Sequence, residues 1–242
     1  TGLAEGMGGK GAVTSWILAR LGVPTTAAGL AGGATGRRME AILREAGVIT
    51  ELLPVAGETR TNYVIVRNRD GAQGTVTVAS LHPSPEDGDR LMARCLALLP
   101  GAQCLLCGGS LPEGLPAAWY APLITAARVR GVLTLLDASD RFLAANLSSC
   151  PDIIKPNADE AEALLGRSLP TIADAAAAAD ELRERGAGAV VITLGERGAV
   201  AATPEGTYYA PPIPVRVVNT AGSGDGFNAG LLMARARGAD WQ

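Results

Sequence analysis

The chain has 242 residues, room for one large domain or two small ones. Its 21 basic and 24 acidic side chains leave a net charge of −3, which gives no electrostatic basis for nucleic acid or an anionic membrane as partner. Hydrophobic residues make up 48%, enough for a substantial core, and no apolar run reaches the roughly 18 residues of a membrane helix.

A helix is predicted over 12–21, with Gly22 as its C-terminal stop. A short strand at 25–30 and a Gly-rich turn lead to a helix at 37–46, closed by Gly47. Strand-length runs at 62–67 and 75–79 bracket a polar turn containing Asp70-Gly71, a hairpin signal. A helix at 85–99 precedes a short buried strand at 104–107, which runs into Gly108-Gly109. A helix at 117–130, a strand at 132–137, a strand at 153–154 and helices at 159–165 and 172–185 follow. A strand at 189–194, a second hairpin over 199–209 and a last helix over 225–237 complete the chain. Strands alternating with helices imply βαβ units and a mostly parallel sheet. Ligands of such sheets sit at the carboxyl ends of the strands. The 62–79 hairpin breaks the alternation and reads as a small β lid.

Lysine occurs only at Lys10 and Lys155, so 21 minus two leaves 19 arginines. Those two positions are candidates for work that a compact ammonium does and a guanidinium fork does not. The four cysteines form no disulfide scaffold. Cys104 and Cys107 have CxxC spacing, but an odd offset on a strand sends their side chains to opposite faces, and no histidine cluster accompanies them. With His82 as the single histidine, there is no basis for a Ser–His–Asp triad.

The most informative segment is 219–230, where Asn219-Thr220-Ala221-Gly222-Ser223-Gly224-Asp225 opens into an apolar helix. Such a turn gathers backbone N–H groups at the positive end of a helix dipole, an anion site suited to phosphate. An Asp there is either a helix cap or a general base beside the anion hole. Gly8-Gly9-Lys10-Gly11 lacks P-loop spacing, but it lets backbone approach a ligand and adds a point charge. In Lys155-Pro156-Asn157-Ala158-Asp159-Glu160, Asn157 and Glu160 have capping-box spacing; the alternative puts Glu160 near hydrated Mg²⁺ and Asn157 near phosphate. Thr193-Leu194-Gly195-Glu196-Arg197-Gly198 ends a strand, and a hairpin turn explains it equally well. In Gly57-Glu58-Thr59-Arg60-Thr61-Asn62, Arg60 could fork onto a phosphate. Gly108-Gly109-Ser110-Leu111-Pro112 follows the short buried strand into the ligand crevice.

Together these segments resemble the ribokinase-like carbohydrate kinases, the phosphofructokinase B family, from about Gly8 to the end of the chain. Asn-Thr-x-Gly-x-Gly-Asp is the most specific element. GGKG, GETRTN, GGSLP, KPNxxE and TLGxxG precede it in the family's order. Asn219 and the GETRTN stretch are similar to the phosphosugar kinases of the family, the group of 1-phosphofructokinase and tagatose-6-phosphate kinase. The resemblance implies a three-layer α/β/α sandwich with a β lid, in one domain over 1–242. It also implies a cytoplasmic kinase using ATP and Mg²⁺ on a phosphorylated ketohexose. Asp225 would be the base, with the N–H groups of Gly222, Ser223 and Gly224 as anion hole. Lys155, Asn157 and Glu160 would serve the ATP phosphates and Mg²⁺, and Thr193, Gly195 and Gly198 the nucleotide. Gly9, Lys10, Arg60, Asn62 and Ser110 would line the sugar-phosphate side. Dimerisation through the lid is expected.

Val13 stands where the family usually has an Asn that bonds a sugar hydroxyl, so the acceptor is open. Ser223 replaces a usual Ala, Gly226 a usual Ser or Ala, and Asp140 a usual Gly. A ribose or nucleoside kinase of the same fold and a non-catalytic sugar-phosphate sensor are the alternatives. A further N-terminal strand and further C-terminal helices are expected beyond this stretch, giving a product heavier than 24.6 kDa.

Overall fold

The structure, a computed structural model, describes residues 6–67, 69, 73–216 and 220–241. The chain divides into two compact units, Thr1–Arg94 with Pro112–Leu115, and Cys95–Leu111 with Pro116–Gln242.

In the first unit, α1 (Lys10–Arg20), β1 (Thr26–Ala31), α2 (Gly33–Glu45) and β2 (Ile49–Pro54) form a βαβ arrangement preceded by a helix. β1 and β2 pair in parallel, with Thr26 opposite Ile49. Ala27, Leu43 and Val48 are its buried centre, and Trp16 and Met39 pack against them. β3 (Thr61–Val66) and β4 (Gln73–Val78) form the separate antiparallel hairpin expected as a lid, with Asn62 opposite Thr77. Its Asp70-Gly71 turn lies outside the described residues. Helix α3 (Pro85–Leu98) follows.

The second unit holds β5 (Cys104–Gly108), α4 (Ala121–Val129), β6 (Leu133–Asp137), α5 (Asp140–Asn146), β7 (Ile153–Ile154), α6 (Ala158–Leu165), α7 (Ile172–Glu184), β8 (Ala189–Thr193), β9 (Ala199–Thr203), β10 (Gly206–Ala210) and α8 (Ser223–Ala236). Its sheet runs in the order β10-β9-β8-β7-β6-β5. β5 to β8 are parallel, and β9 and β10 turn back as an antiparallel edge. Leu135, Ile153, Ala189, Val191 and Ala199 meet Leu232 of α8 on one face. Strand alternation sends Leu136, Ile154, Val190, Ile192 and Val200 to the other face, all of them buried. Helix α7 packs on β8 and β9 through Ala175, Ala178, Ala179 and Leu182, a buried stripe at helical spacing. A mixed, mostly parallel sheet with helices on both faces is the expected architecture.

Three differences from expectation have physical causes. Helix α2 starts at Gly33, inside what reads as a turn, because the Glu58 carboxylate accepts from the backbone N–H groups of Ala34 (3.2 Å) and Thr35 (2.5 Å). A cap that arrives from 23 residues away leaves no local signal. The strand β2 is missed because Ile-Thr-Glu-Leu-Leu-Pro lacks clean alternation; parallel pairing with β1 makes it a strand. The seven-residue α5 follows β6 directly and is too short for a periodic pattern. Among the described residues no helix is long and apolar enough to cross a membrane.

Candidate active site

The second unit concentrates polar residues at the carboxyl ends of its parallel strands. Gly222 caps α8 at φ 81°, a backbone conformation that favours glycine, and swings the chain into the helix. The N–H of Ser223 closes onto the Thr220 carbonyl at 3.2 Å, and that of Gly226 onto Gly222 at 2.9 Å. The N–H of Gly224 has no partner among the described residues. Gly222 and Ser223 are exposed, and Asp225, in the first helical turn, is half-buried. An open glycine amide at a helix N-terminus with a carboxylate one residue on can hold an anion and take up a proton. Asn219 lies outside the described residues.

Lys155 lies beneath this turn. It leaves β7 with its N–H on the Leu136 carbonyl at 3.1 Å, and the residue is only 3% exposed. Its ammonium sits 3.1 Å from Asp137 Oδ2, and a methyl group placed on Gly224 would lie 3.6 Å from Nζ. The same Asp137 oxygen accepts from Asn228 Nδ2 at 2.6 Å. Asp137 is the last residue of β6 and Asn228 lies one turn into α8, so one carboxylate joins two strand ends and a helix. Sequence reasoning missed both residues. The available signals were an acid closing the apolar strand Leu-Thr-Leu-Leu and an amide beside Ala229 on the buried face of α8.

Asn157 and Glu160 form a complete capping box on α6: Asn157 Oδ1 accepts from the Glu160 N–H at 2.8 Å, and Glu160 Oε2 from the Asn157 N–H at 2.9 Å. Asn157 also bridges to Thr193 across the ends of β7 and β8, with the Thr193 N–H on the Pro156 carbonyl at 3.1 Å. The Gly195–Gly198 turn is closed by Leu194 N–H to Gly198 carbonyl, 2.8 Å. A side chain on Gly198, φ 87°, would collide with the Ala210 carbonyl, so this glycine has a structural reason beside any ligand. Arg197 fastens the same turn by donating to the Leu169 and Pro170 carbonyls at 3.3 and 2.9 Å. Ser110 follows β5, where the Gly109 N–H joins the Asp137 carbonyl at 3.0 Å.

Gly9, Lys10, Arg60 and Asn62 belong to the first unit. Gly9, at φ 100°, caps α1 and accepts from the Val13 N–H at 2.9 Å; Lys10 is the first helical residue. Half of the GETRTN stretch is structural. Gly57 packs against the Ser80 carbonyl with no room for a side chain, Glu58 caps α2, and Thr59 Oγ1 accepts from the Gly32 N–H at 3.0 Å. The hydrogen bond from the Thr35 N–H holds the Glu58 carboxyl below its ordinary value. Arg60 and Asn62 are exposed, and Asn62 Oδ1 accepts from Thr77 Oγ1 across the hairpin at 2.9 Å. Cys104 lines the face that meets α8, whereas Cys107 is fully buried and burial raises its thiol pKa. No disulfide joins the cysteines.

The profile of the pfkB family carbohydrate kinases matches residues 2–242. The 1-phosphofructokinase of Escherichia coli strain K12 is 32% identical over 93% of this chain and 72% of its own length. The structure of Escherichia coli phosphofructokinase-2 in complex with substrates and products superimposes with a TM-score of 0.86. It is 27% identical and covers 100% of this chain and 82% of that one. The tetrameric inhibited form of that enzyme matches with a TM-score of 0.84, 27% identity, and coverage of 99% and 83%. The chain therefore belongs to the pfkB family of carbohydrate kinases, ATP-using phosphotransferases of ribokinase-like fold.

Proposed function

We propose that this kinase transfers the γ-phosphoryl group of ATP to a hydroxyl of a phosphorylated ketohexose, with Asp225 as general base. The observation that carries this reading is the α8 N-terminus, where the Gly224 amide, without a partner among the described residues, lies over the buried Lys155 ammonium and Asp225 follows one residue on. Asp225 takes the proton of the acceptor hydroxyl as its oxygen bonds to the γ-phosphorus. The bond from that phosphorus to the bridging oxygen breaks, and ADP leaves with the electron pair. The transition state spreads charge over the phosphoryl oxygens, which the Gly224 amide, the helix dipole and Lys155 stabilise. Asn157 and Thr193, side by side at two strand ends, and the Gly195–Gly198 turn serve the nucleotide.

Among the described residues no three metal-ligating side chains cluster, so a cage made wholly by protein does not fit. Mg²⁺ carried on the ATP phosphates does fit, because it keeps its waters and needs one or two carboxylates, here Glu160. Bound there, it would neutralise phosphate charge.

Gly9, Lys10, Arg60, Asn62 and Ser110 are assigned to the sugar phosphate, Lys10 and Arg60 supplying the charge that an acceptor phosphate requires. The similarity to 1-phosphofructokinase supports fructose 1-phosphate as the first acceptor to try. A homodimer through the lid is part of the same proposal. Tyr63, Ile65, Val76 and Val78 share one hairpin face by register and are all about half exposed, an apolar surface suited to a second copy.

The test is phosphoryl transfer from ATP to fructose 1-phosphate, fructose 6-phosphate, tagatose 6-phosphate and the unphosphorylated sugars. Turnover confined to phosphorylated acceptors is expected. Equal turnover of unphosphorylated sugars refutes the acceptor class, and ligand binding without ADP release refutes catalysis.

A further inference from the structure

The buried cluster at the end of β6 ties two strand ends to the first turns of α8. Asp137 is 1% exposed, Lys155 3% and Asn228 0%. One oxygen of Asp137 accepts from both the ammonium and the amide, at 3.1 and 2.6 Å. The carbonyl oxygen of Asn228 is buried without a hydrogen-bond partner among the described residues. Stability alone is a poor explanation for this arrangement. An aliphatic side chain at 228 would join Ala229 and Leu232 on the buried face of α8 and orphan no acceptor. Buried ion pairs are likewise often replaced by apolar residues with no loss of stability. What the cluster does achieve is position. Asn228 lies three residues after Asp225, nearly one helical turn, so a bond from Asn228 to Asp137 sets the roll and depth of the turn that carries Asp225 and Gly224. The second bond holds the Lys155 ammonium under Gly224.

We infer that Asp137 is a positioning residue that aims the α8 N-terminus and the Lys155 ammonium at the phosphoryl group, acting through Asn228 and Lys155 and not by touching substrate. This rests on the kinase reading above. Aim matters most when charge develops, so its loss should appear in kcat and leave ground-state binding nearly intact.

Two variants test it on the best acceptor of the panel. Asp137→Asn keeps the shape and removes the charge opposite Lys155. Asn228→Ala breaks only the tether to α8. The expected fall in kcat is about 100-fold for Asp137→Asn and about 10-fold for Asn228→Ala, with both KM values within about threefold of wild type. Amide hydrogen exchange at residues 226–229 should be about fivefold faster or more in both variants. Unchanged kcat with only a lower melting temperature makes the cluster a stability element and overturns the inference. An altered Mg²⁺ requirement with unchanged exchange makes Asp137 a metal ligand and overturns it as well. Failure of both variants to fold assigns the cluster to folding and also overturns it. If wild type phosphorylates no acceptor, the kinase reading fails. The exchange measurement needs no turnover and still decides whether Asp137 holds the α8 turn.

Discussion

Replacing Gly224 by alanine separates the catalytic role proposed for the α8 turn from its structural role. Gly224 is a helical residue outside the left-handed region, so the backbone accepts alanine. The added methyl would sit 3.6 Å from Lys155 Nζ, an ordinary van der Waals contact. Alanine exceeds glycine in helix propensity by about 0.8–1.0 kcal/mol in a helix interior, and at the second helical position about half of that is expected. For a chain of this size that raises the melting temperature by roughly 1–2 °C. Catalysis should move the other way. The methyl shields the ammonium and crowds the N–H that in the proposed mechanism would face the phosphoryl oxygens, and losing one such donor costs about 10²–10³ in kcat, or about 2.7–4 kcal/mol. The assay pairs thermal melting with steady-state ADP release at saturating ATP and acceptor. A variant as stable as wild type and as active would refute the anion-hole role. A variant that loses activity only together with its fold would refute the claim that the glycine is there for the ligand.

The Glu58 cap predicts an acid-sensitive first unit. Its folded pKa lies below the unfolded value, so its stabilisation is present above the unfolded pKa and is lost as pH falls through the folded one. Melting temperatures from pH 7 down to pH 3 should converge between wild type and Glu58→Gln as the carboxylate protonates. A constant gap across that range would remove Glu58 as the cap. On the lid, Tyr63→Glu with Ile65→Glu places charge on the exposed apolar face and should turn a dimer into a monomer by light scattering. An unchanged mass would exclude this hairpin as the interface.

What could be read from the sequence depended on how far apart the partners lie. The Asn157–Glu160 capping box is visible because both halves fall within one turn, and α7 is visible because its alanine stripe repeats at helical spacing. The Gly222–Asp225 turn is visible because glycine tolerates the left-handed cap that Gly222 adopts. The start of α2 was hidden because Glu58 comes from a later loop. The Asp137–Asn228 bond was hidden for the same reason, as it joins residues 91 apart. Lysine scarcity marked Lys155 correctly as unusual, but not that its ammonium would be buried against a carboxylate.

Asp225 as general base is tested most directly by single-turnover phosphoryl transfer in wild type and Asp225→Asn, with ATP and the best sugar-phosphate acceptor. The asparagine keeps the shape of the residue but cannot take the hydroxyl proton. A fall in the transfer rate of about 10²–10⁴, with substrate binding and melting temperature near wild type, is the predicted result. Equal rates in the two proteins would contradict it and leave Asp225 as an acidic residue of the first helical turn with no part in proton transfer.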